Sequence, residues 1–461
     1  MKHPSRPSSA TSTTTSKATT SPTLPSSHTT IHTLPSFDPS PPTPGHPPAH
    51  WNNNPPTHFS NPWPSSQKLS LLSALSTRFS RSKPPFVPVP TTREELVKVR
   101  KPTWGRAETE DPHGTALKAT WLGHASWLIE FPRQGSAERG VRILLDPLFS
   151  ERTSPVTFLG PKRYTPPPCT IAELPEVDAV AISHNHYDHL DHAALVALFE
   201  KQKDRKPRVF CALRNREWFL SAGLGLREDE VTELDWWEGV RMVVEGVGEV
   251  EIVCTPCQHN SGRTGWDAGR ALWCSWVFGE CAGSGDGDVD GAGEEGVDAH
   301  TALATADAPT TLSSSPRKPK SLYFAGDTAY RHVPSDDPTP EEEASMPHCP
   351  AFKQIGSVFT SFSLALLPIG LMSPRSFMSS VHCSPEDSVC VHKDINAERS
   401  LGMHYGTVRG GISAQYEDVR VPPRRWREAC EREGWKWRGE GQNDNGWEAG
   451  LCDVGETVVV R

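Results

Sequence analysis

Three histidines and one aspartate stand within six residues of this chain, in the segment His184-Asn185-His186-Tyr187-Asp188-His189. The apolar run at 178–183 precedes the segment and predicts a buried strand that ends where the segment begins. Because no regular helix or strand would place all four side chains on one face, we expect a tight loop in which the imidazoles converge. Imidazole and carboxylate groups together bind zinc, and also iron and manganese. The segment therefore predicts a metal site.

Three more polar residues each follow a strand-like apolar run elsewhere in the chain. They are His259 after 250–255, Asp327 after 321–325, and His404 after 399–403. Active-site groups of sheet-based α/β folds commonly lie at such strand ends. A single histidine after a strand is more often a packed or capping residue. These three fit the six-residue loop jointly, however, and together they would complete a centre for two metal ions.

The loop, the turn Gly326-Asp327-Thr328 and the late His404 resemble the metallo-β-lactamase superfamily of binuclear hydrolases. Within it, the chain is more similar still to the phospholipases D that hydrolyse N-acyl-phosphatidylethanolamines. The stretches that carry this similarity follow one another at 120–125, 145–150, 154–155, 160–163, 169–175, 324–328 and 349–352. The resemblance implies an α/β fold, the αββα sandwich of two sheets flanked by helices, with the metal ions at one edge.

The resemblance also implies the metal ligands. In the family's pattern His184, His186 and His259 hold one metal ion, Asp188, His189 and His404 hold the other, and Asp327 bridges them. We therefore expect two zinc ions per subunit.

Three further residues match positions that matter in the family. His382 is interpreted as a substrate-positioning residue or a general acid, with packing at a helix N-terminus as the alternative. Asp146 and His124 are expected to orient the metal ligands without binding metal themselves, although Asp146 could instead cap a buried turn. Together with Asp188 and Asp327, His382 forms the predicted catalytic group.

The predicted reaction is hydrolysis of a phosphodiester. Two metal ions can hold the attacking and leaving oxygens of an in-line displacement, and they lower the pKa of a shared water toward neutrality. Hydroxide attack at phosphorus would convert N-acyl-phosphatidylethanolamine into N-acylethanolamine and phosphatidate. A related lactonase or thioesterase, which would act with the same metals on a small ester, is the alternative.

Composition divides the chain into unequal parts. Residues 1–93 are crowded with Ser, Thr and Pro and contain a single acidic residue, Asp38, so we expect them to be disordered. Residues 115–461 are long enough for one domain with a large core. Residues 279–320, rich in Gly, Ala, Asp and Ser, are expected to form a disordered surface insert at a hairpin of this domain.

The period of the hydrophobic residues, and the Gly and Pro residues that interrupt it, predict both strands and helices in the domain. Strands are expected at 117–122, 126–131, 141–146, 178–183, 207–213, 250–256, 271–278, 321–325, 364–369 and 399–404. Helices are expected at 191–203, 214–222, 385–396 and 423–433.

Charge and cysteine content narrow the classes of partner and compartment. The net charge of −9 arises largely in the insert, which contains seven acids: Glu280, Asp286, Asp288, Asp290, Glu294, Glu295 and Asp298. The remainder is nearly neutral and has no basic stripe, so nucleic acid is not an expected partner. The 11 cysteines, an odd number without regular spacing, favour free thiols in a reducing compartment.

The expected partners are a phospholipid substrate and a membrane surface. No apolar leader for secretion is visible at the start of the sequence. We therefore expect a cytoplasmic protein that is peripheral on a membrane, and mitochondria are the alternative location. The longest apolar run, 364–372, is too short to span a bilayer. Segment 68–81 could form a membrane-surface helix with Leu69, Leu72, Leu75 and Phe79 on one face, or a helix that packs on the domain or never forms. The family resemblance suggests a homodimer.

Overall fold

The computed structural model of the chain describes residues 28–41, 46–67, 77, 79, 86–106, 111–156, 158–264, 266–281, 317–440 and 446–461. Within them the strands are β1 (Thr29–Thr33), β2 (Leu117–Gly123), β3 (Ser126–Glu130), β4 (Arg142–Leu145), β5 (Lys162–Arg163), β6 (Ala179–Ile182), β7 (Arg208–Ala212), β8 (Val231–Leu234), β9 (Gly239–Val244), β10 (Gly248–Thr255), β11 (Ser275–Gly279), β12 (Ser321–Phe324), β13 (Leu364–Pro368), β14 (Ser400–Met403), β15 (Val408–Arg409), β16 (Ala449–Gly450) and β17 (Thr457–Val460). The α-helices are α1 (His192–Lys201), α2 (Arg216–Ser221), α3 (Pro340–Ser345), α4 (Ala351–Phe359), α5 (Arg375–Met378), α6 (Pro385–Asp394), α7 (Ser413–Tyr416) and α8 (Val421–Arg432).

The strands form two large sheets and one short ribbon. The seven-stranded sheet has the order β17-β2-β3-β4-β6-β7-β8, antiparallel as far as β4 and parallel beyond it. The eight-stranded sheet has the order β1-β9-β10-β11-β12-β13-β14-β16, antiparallel as far as β12 and parallel beyond it. Strands β5 and β15 pair as the ribbon.

Side chains of the seven-stranded sheet alternate between two separate cores, as the pleat of a strand requires. In β4, Ile143 and Leu145 point into the core shared with the eight-stranded sheet, whereas Leu144 points into a second core beneath α1. Phe352 of α4 and Trp426 of α8 belong to the larger core. Helices thus cover the outer faces of the paired sheets, and the predicted αββα sandwich is confirmed.

Helix α6 begins immediately beyond His382, and its first turn is firmly held. Ser384 Oγ accepts a hydrogen bond from the Asp387 N–H at 3.1 Å, and Asp387 Oδ2 accepts one from the Ser384 N–H at 3.1 Å. The buried Asp387 carboxylate also pairs with Arg331 at 2.9 Å and with Arg375 at 2.7 Å. Two guanidinium groups therefore fix the start of this helix and the residues that precede it.

The ten predicted strands and four predicted helices are present in the described residues. One strand is shorter than predicted, because residues 271–274 precede β11 as irregular chain. The sequence did not predict strands β1, β5, β8, β9, β15, β16 and β17 or helices α3, α4, α5 and α7.

The prediction that residues 1–93 are disordered must be corrected for 28–41 and 46–67. Strand β1 pairs with β9 and extends the eight-stranded sheet, and Phe37 and Phe59 are buried in the larger core. Trp51 and Trp63 pack against the same core. The average composition hid these aromatic residues, each of which buries a large apolar area when the surrounding polar chain is ordered.

Other sequence predictions fall partly outside the described residues. Gly279 lies opposite Ser321 in the β11–β12 pair, so the insert does join two antiparallel neighbours, but residues 282–316 lie outside the described chain. The same holds for segment 68–81 apart from residues 77 and 79. All eleven cysteines are free thiols, in agreement with the expectation from their number and spacing.

Candidate metal centre

The residues predicted to bind metal lie together at one edge of the sandwich. His184, His186, Asp188 and His189 follow β6 of the seven-stranded sheet. His259, Asp327 and His404 follow β10, β12 and β14 of the eight-stranded sheet. Because the strands of both sheets end at this edge, the two sheets contribute to one centre. The structure brings all seven side chains together, and their role as ligands remains a prediction.

Three histidines form the first group of the centre. His184 Nε2 lies 2.9 Å from His186 Nδ1, and His259 Nε2 lies 3.4 Å from that same atom. One nitrogen of each ring lies within 4.8 Å of the other two. This arrangement provides three imidazole donors for one ion.

The second group contains His189, His404 and Asp188. The Nε2 atoms of His189 and His404 lie 3.3 Å apart, and Asp188 Oδ2 lies 3.8 and 3.9 Å from them. Asp327 stands between the two groups. Its Oδ1 lies 2.9 Å from His404 Nε2, and its Oδ2 lies 3.2 Å from His189 Nε2 and 3.7 Å from His259 Nε2. The carboxylate occupies the position expected of a bridge.

The donor set fits a pair of divalent cations. Imidazole nitrogens that face each other at 2.9 and 3.3 Å repel one another unless a proton or a cation lies between them. Asp327 Oδ1 is buried, and although it lies 2.9 Å from His404 Nε2 it makes no hydrogen bond of regular geometry within the described residues, which is unfavourable for a polar atom away from water. A cation would relieve both conditions, and nitrogen with carboxylate oxygen is a ligand set that suits zinc.

Two of the candidate ligand rings are oriented by hydrogen bonds on their far side. His189 Nδ1 lies 2.7 Å from Asp146 Oδ2, and His259 Nδ1 lies 2.8 Å from the backbone oxygen of Val381. Each bond holds the ring proton on Nδ1 and directs Nε2 to the centre. Asp146 also accepts hydrogen bonds from the backbone and hydroxyl of Ser183 at 2.8 and 2.5 Å, and its burial raises the pKa of the carboxyl. Asp146 therefore contacts a candidate ligand as well as the turn, and its role in orienting that ligand remains a prediction.

His124 contacts the second group from the opposite side. Its Nε2 lies 3.0 Å from Asp188 Oδ2, and its backbone oxygen accepts a hydrogen bond from the His404 N–H at 3.0 Å. Burial lowers the pKa of His124 to about 3, so the neutral ring donates to the carboxylate. Both His124 and His404 have positive φ values, 55° and 61°, a conformation that non-glycine residues adopt only where surrounding contacts hold them.

His382 faces the centre, and its side chain is not directed into helix α6. Its Nδ1 lies 3.9 Å from Asp327 Oδ2, and its ring stacks on His404 with centroids 5.4 Å apart. Burial lowers the pKa of His382 to about 4. The side chain therefore presents a neutral imidazole to the centre, and the position favours contact with a substrate over simple packing at the helix start.

The charge states suit metal binding. Burial lowers the pKa of His184 and of His259 well below the usual range, which leaves both rings neutral, the form that binds a metal. Burial opposes ionisation of Asp327, yet the adjacent His189 and His404 hold its pKa well below the usual range. Against the effect of burial, the Asp327 carboxylate raises the pKa of His189 well above the usual range and the pKa of His404 to about 9. Without metal, the centre thus combines neutral rings at His184 and His259 with protonated rings at His189 and His404 beside an ionised Asp327, and bound cations would take the place of those two protons.

One cavity opens beside the candidate ligands, and a second adjoins it at Tyr187. The smaller, of about 240 Å³, is bordered by His186, Tyr187, Asp188 and Leu371 among others. The larger, of about 570 Å³, also borders Tyr187 and extends past Trp218. Tyr187 is therefore the shared wall between them.

Sequence reasoning missed two residues that support this centre. Arg263 Nη1 donates to the backbone oxygens of Asn185 and Leu190, both at 3.0 Å, and so ties together the two ends of the metal loop. Its guanidinium also lies 4.0 Å from the centroid of the Tyr187 ring. Asn61 donates to the backbone oxygen of His259 at 2.8 Å. A single Arg or Asn in a polar stretch carries no sequence signal for such contacts.

Comparisons with known proteins show which family this chain is similar to. A family model described as a beta-lactamase superfamily domain matches residues 141–288. N-acyl-phosphatidylethanolamine-hydrolyzing phospholipase D 1 of Caenorhabditis elegans is 32% identical over 309 residues, which cover 66% of this chain and 68% of that protein. The mitochondrial phospholipase D of the same description from Saccharomyces cerevisiae is 29% identical, over 68% of this chain and 58% of that protein. An isothiocyanate hydrolase from Delia radicum gut bacteria has a TM-score of 0.42 at 15% identity, over 74% of this chain and 98% of that structure.

The chain belongs to the metallo-β-lactamase superfamily, in the family of the N-acyl-phosphatidylethanolamine-hydrolysing phospholipases D. This membership confirms the resemblance drawn from the sequence. It also confirms the predicted enzyme class, a metal-dependent hydrolase.

Proposed function

We propose that this protein is a zinc-dependent phosphodiesterase that hydrolyses N-acyl-phosphatidylethanolamine to N-acylethanolamine and phosphatidate. The observation that carries the proposal is the convergence of five histidines and two aspartates at one edge of the sandwich. The names of the worm and yeast relatives supply the substrate.

We assign the ligands of two zinc ions from the two groups. His184, His186 and His259 belong to one ion, Asp188, His189 and His404 belong to the other, and Asp327 belongs to both. When bound, the ions would supply Lewis acidity that neutralises phosphodiester charge and activates water for hydroxide attack at phosphorus. Asp146 and His124 keep the ligands of the second ion in place.

His382 acts on the substrate in this proposal. Its buried ring lies beside Asp327 and has an unpaired Nδ1, so it can donate a hydrogen bond to a phosphate or leaving-group oxygen. The low pKa that burial gives His382, about 4, favours substrate positioning by a neutral ring over proton transfer from an imidazolium.

The two cavities suit a lipid substrate with a compact phosphodiester group and long chains. The smaller cavity borders the ligands and is large enough for a phosphodiester group. The larger cavity, across Tyr187, offers space to one arm of a lipid beside the apolar side chains of Val156, Leu190 and Trp218.

A membrane surface is the proposed location of the substrate. Two loops border the larger cavity, and just beyond the bordering residues they carry Phe158, Leu159 and Trp266, which are 78%, 67% and 91% exposed. Exposed tryptophan and aliphatic side chains at a cavity mouth suit the interfacial region of a bilayer. No helix in the described residues is long and apolar enough to cross a membrane. In a vesicle sedimentation assay, Trp266→Ser should reduce the fraction of protein bound to vesicles. A bound fraction equal to that of wild type would contradict the proposal that these side chains bind a membrane surface.

We propose a cytoplasmic location that is peripheral on a membrane, with mitochondria as the alternative that the name of the yeast relative supports. We also propose a homodimer. Organelle fractionation distinguishes the two locations, and light scattering after size exclusion measures the mass of the assembly.

Product analysis tests the activity. Purified zinc-loaded protein is incubated with N-acyl-phosphatidylethanolamine in detergent, beside an Asp327→Asn variant and an Asp337→Asn control whose side chain is exposed. N-acylethanolamine and phosphatidate should appear with wild type and the control and should be lost with Asp327→Asn. If a lactone or thioester is cleaved and neither lipid product appears, the lipid assignment is wrong and the alternative ester hydrolase holds.

A further inference from the structure

The N-terminal segment 46–67 packs against the chain that carries His259. The Phe59 N–H donates to the backbone oxygen of Gly269 at 2.7 Å, and the Phe59 side chain is buried. Trp63 stacks on Trp236 with centroids 5.4 Å apart and planes 9° apart. The segment is thereby fixed to the eight-stranded side of the domain, near the end of β10.

Two polar side chains of this segment reach the residues at the end of β10. Asn61 Nδ2 donates to the backbone oxygen of His259 at 2.8 Å, and Asn61 Oδ1 accepts from Trp273 Nε1 at 3.2 Å. Ser65 Oγ donates to Gln258 Oε1 at 2.6 Å, and Gln258 Nε2 donates back to the Ser65 backbone oxygen at 3.2 Å. Three of these four hydrogen bonds join the segment to Gln258 and His259 just beyond β10, and the fourth joins it to Trp273.

His259 is consequently held from two sides. Its ring is fixed by the backbone oxygen of Val381, and its backbone is fixed by Asn61. The backbone oxygen has no regular strand partner here, because β10 ends at Thr255. Removal of the Asn61 amide would leave this buried carbonyl unpaired and free the backbone to shift, and a shift of a few tenths of an ångström is comparable to the tolerance of a zinc–nitrogen bond.

We propose that the N-terminal segment is an integral part of the metal centre and that Asn61 is a positioning residue for His259. The inference rests on the ligand set proposed above. Partners that orient metal ligands typically change metal affinity by about 10–100-fold. Asn61 acts on the backbone of His259 and leaves its ring bond intact. We therefore expect substitution of Asn61 to lower metal affinity by about tenfold, near the lower end of that range, for the ion bound by His184, His186 and His259.

Metal titration of the full chain tests this positioning role. Asn61→Ala and Asn61→Asp, the second of which keeps the size but loses the donor, are titrated with zinc against a chromophoric chelator. Asn53→Ala is the matched control, since among the described residues Asn53 bonds only to Thr57, within an exposed turn of the same segment. Both Asn61 variants should bind one of the two ions about tenfold more weakly, and the cobalt-substituted proteins should show altered visible absorption bands, while the control matches wild type.

The outcomes separate the inference from the function on which it rests. Wild-type zinc affinity and cobalt spectra in both Asn61 variants would overturn the positioning role. Retention of both ions in His259→Ala would instead overturn the proposed ligand set. If the Asn61 variants do not fold, Ser65→Ala, which removes a milder contact to Gln258, replaces them and must lower the affinity of the same ion for the inference to stand.

Discussion

Asp327 is the residue at which the two histidine groups meet. One oxygen lies 2.9 Å from His404 Nε2 and the other lies 3.2 Å from His189 Nε2. Burial of a lone carboxylate is costly unless positive charge compensates it. In the protein without metal, among the described residues, that charge comes from His189 and His404, whose pKa values the Asp327 carboxylate raises against the effect of burial. The site therefore suits cations that would replace these two protons.

The proposed role of His382 can be tested by a single substitution. We expect His382→Gln to keep the zinc content of wild type, because seven other side chains supply the ligand set, and to lower kcat/KM by about 100-fold, as is typical for loss of a group that hydrogen-bonds the reacting atoms. Metal analysis and steady-state kinetics measure the two quantities. His348→Gln, at an exposed position that stacks on Tyr330, serves as the control. Loss of zinc in the His382 variant would make this residue a ligand.

At the scale of elements, the centre depends on how closely the ends of β6 and β12 approach each other. Gly326 follows β12 with φ +59°, and a Cβ atom there would lie 2.6 Å from the Cβ of Ser183 at the end of β6. The loop histidines and Asp327 follow these two strand ends directly. A side chain at Gly326 must therefore push the two halves of the centre apart.

We expect Gly326→Ala to lower the free energy of unfolding by about 2 kcal/mol more than Gly246→Ala. Gly246 has φ +73° and no atom within 4 Å of a Cβ placed there, so both variants carry the left-handed penalty of about 1–2 kcal/mol and only Gly326→Ala adds the cost of overpacking. Denaturant unfolding of the two variants measures the difference. Equal losses would mean that the strand ends can separate without cost.

Helix α6 is joined to β14 by a buried histidine whose charge state depends on folding. His392 Nδ1 lies 2.7 Å from Ser400 Oγ, and its ring lies 4.1 Å from that of Trp435. Burial lowers the pKa of His392 from 6.5 to about 4, with Glu433 and Lys393 nearby acting in opposite directions. The pKa of His392 is therefore lower in the folded state than in the unfolded state. The neutral, buried ring contributes stability that is fully present above pH 6.5 and is lost as pH falls toward 4.

We expect wild type to lose about 2 kcal/mol more stability than His392→Gln between pH 7 and pH 5, because the glutamine does not titrate. The difference between the two proteins cancels the contribution of the other histidines. Denaturant midpoints at the two pH values measure it. Parallel curves for the two proteins would show that the His392 ring is hydrated in the folded state.

The sequence predicted those elements whose local hydrophobic patterns are strong. β6 and β13 are continuous apolar runs, and candidate ligands follow β6 directly, so there the strand and the site could be recognised together. The N-terminal segment escaped because Phe37, Phe59 and Trp63 are isolated among Ser, Thr and Pro, and their burial depends on distant partners such as Trp236. Contacts such as that of Asn61 with His259 join residues 198 positions apart, and no local pattern reports them.

At the scale of the whole molecule, the candidate metal centre joins the two sheets. The seven-stranded sheet supplies the loop after β6, and the eight-stranded sheet supplies the residues after β10, β12 and β14. Apart from this edge, the two sheets are held by a shared apolar core that includes Trp127, Trp276 and Phe324. Bound ions would therefore add cross-links between the sheets where the polar edge would otherwise weaken them.

Metal removal should consequently destabilise the entire domain. A ligand that binds only the folded state adds RT ln(1 + [L]/Kd), which is about 4 kcal/mol per ion when zinc is present at 1,000 times its Kd. We expect a lower Tm after treatment with a chelator, recovery when zinc is restored, and a smaller difference in Asp327→Asn, which retains fewer ligands. Calorimetry of the three preparations measures these shifts. An unchanged Tm after verified removal of metal would mean that the apolar core alone holds the sheets together and that the ions serve the chemistry without supporting the fold.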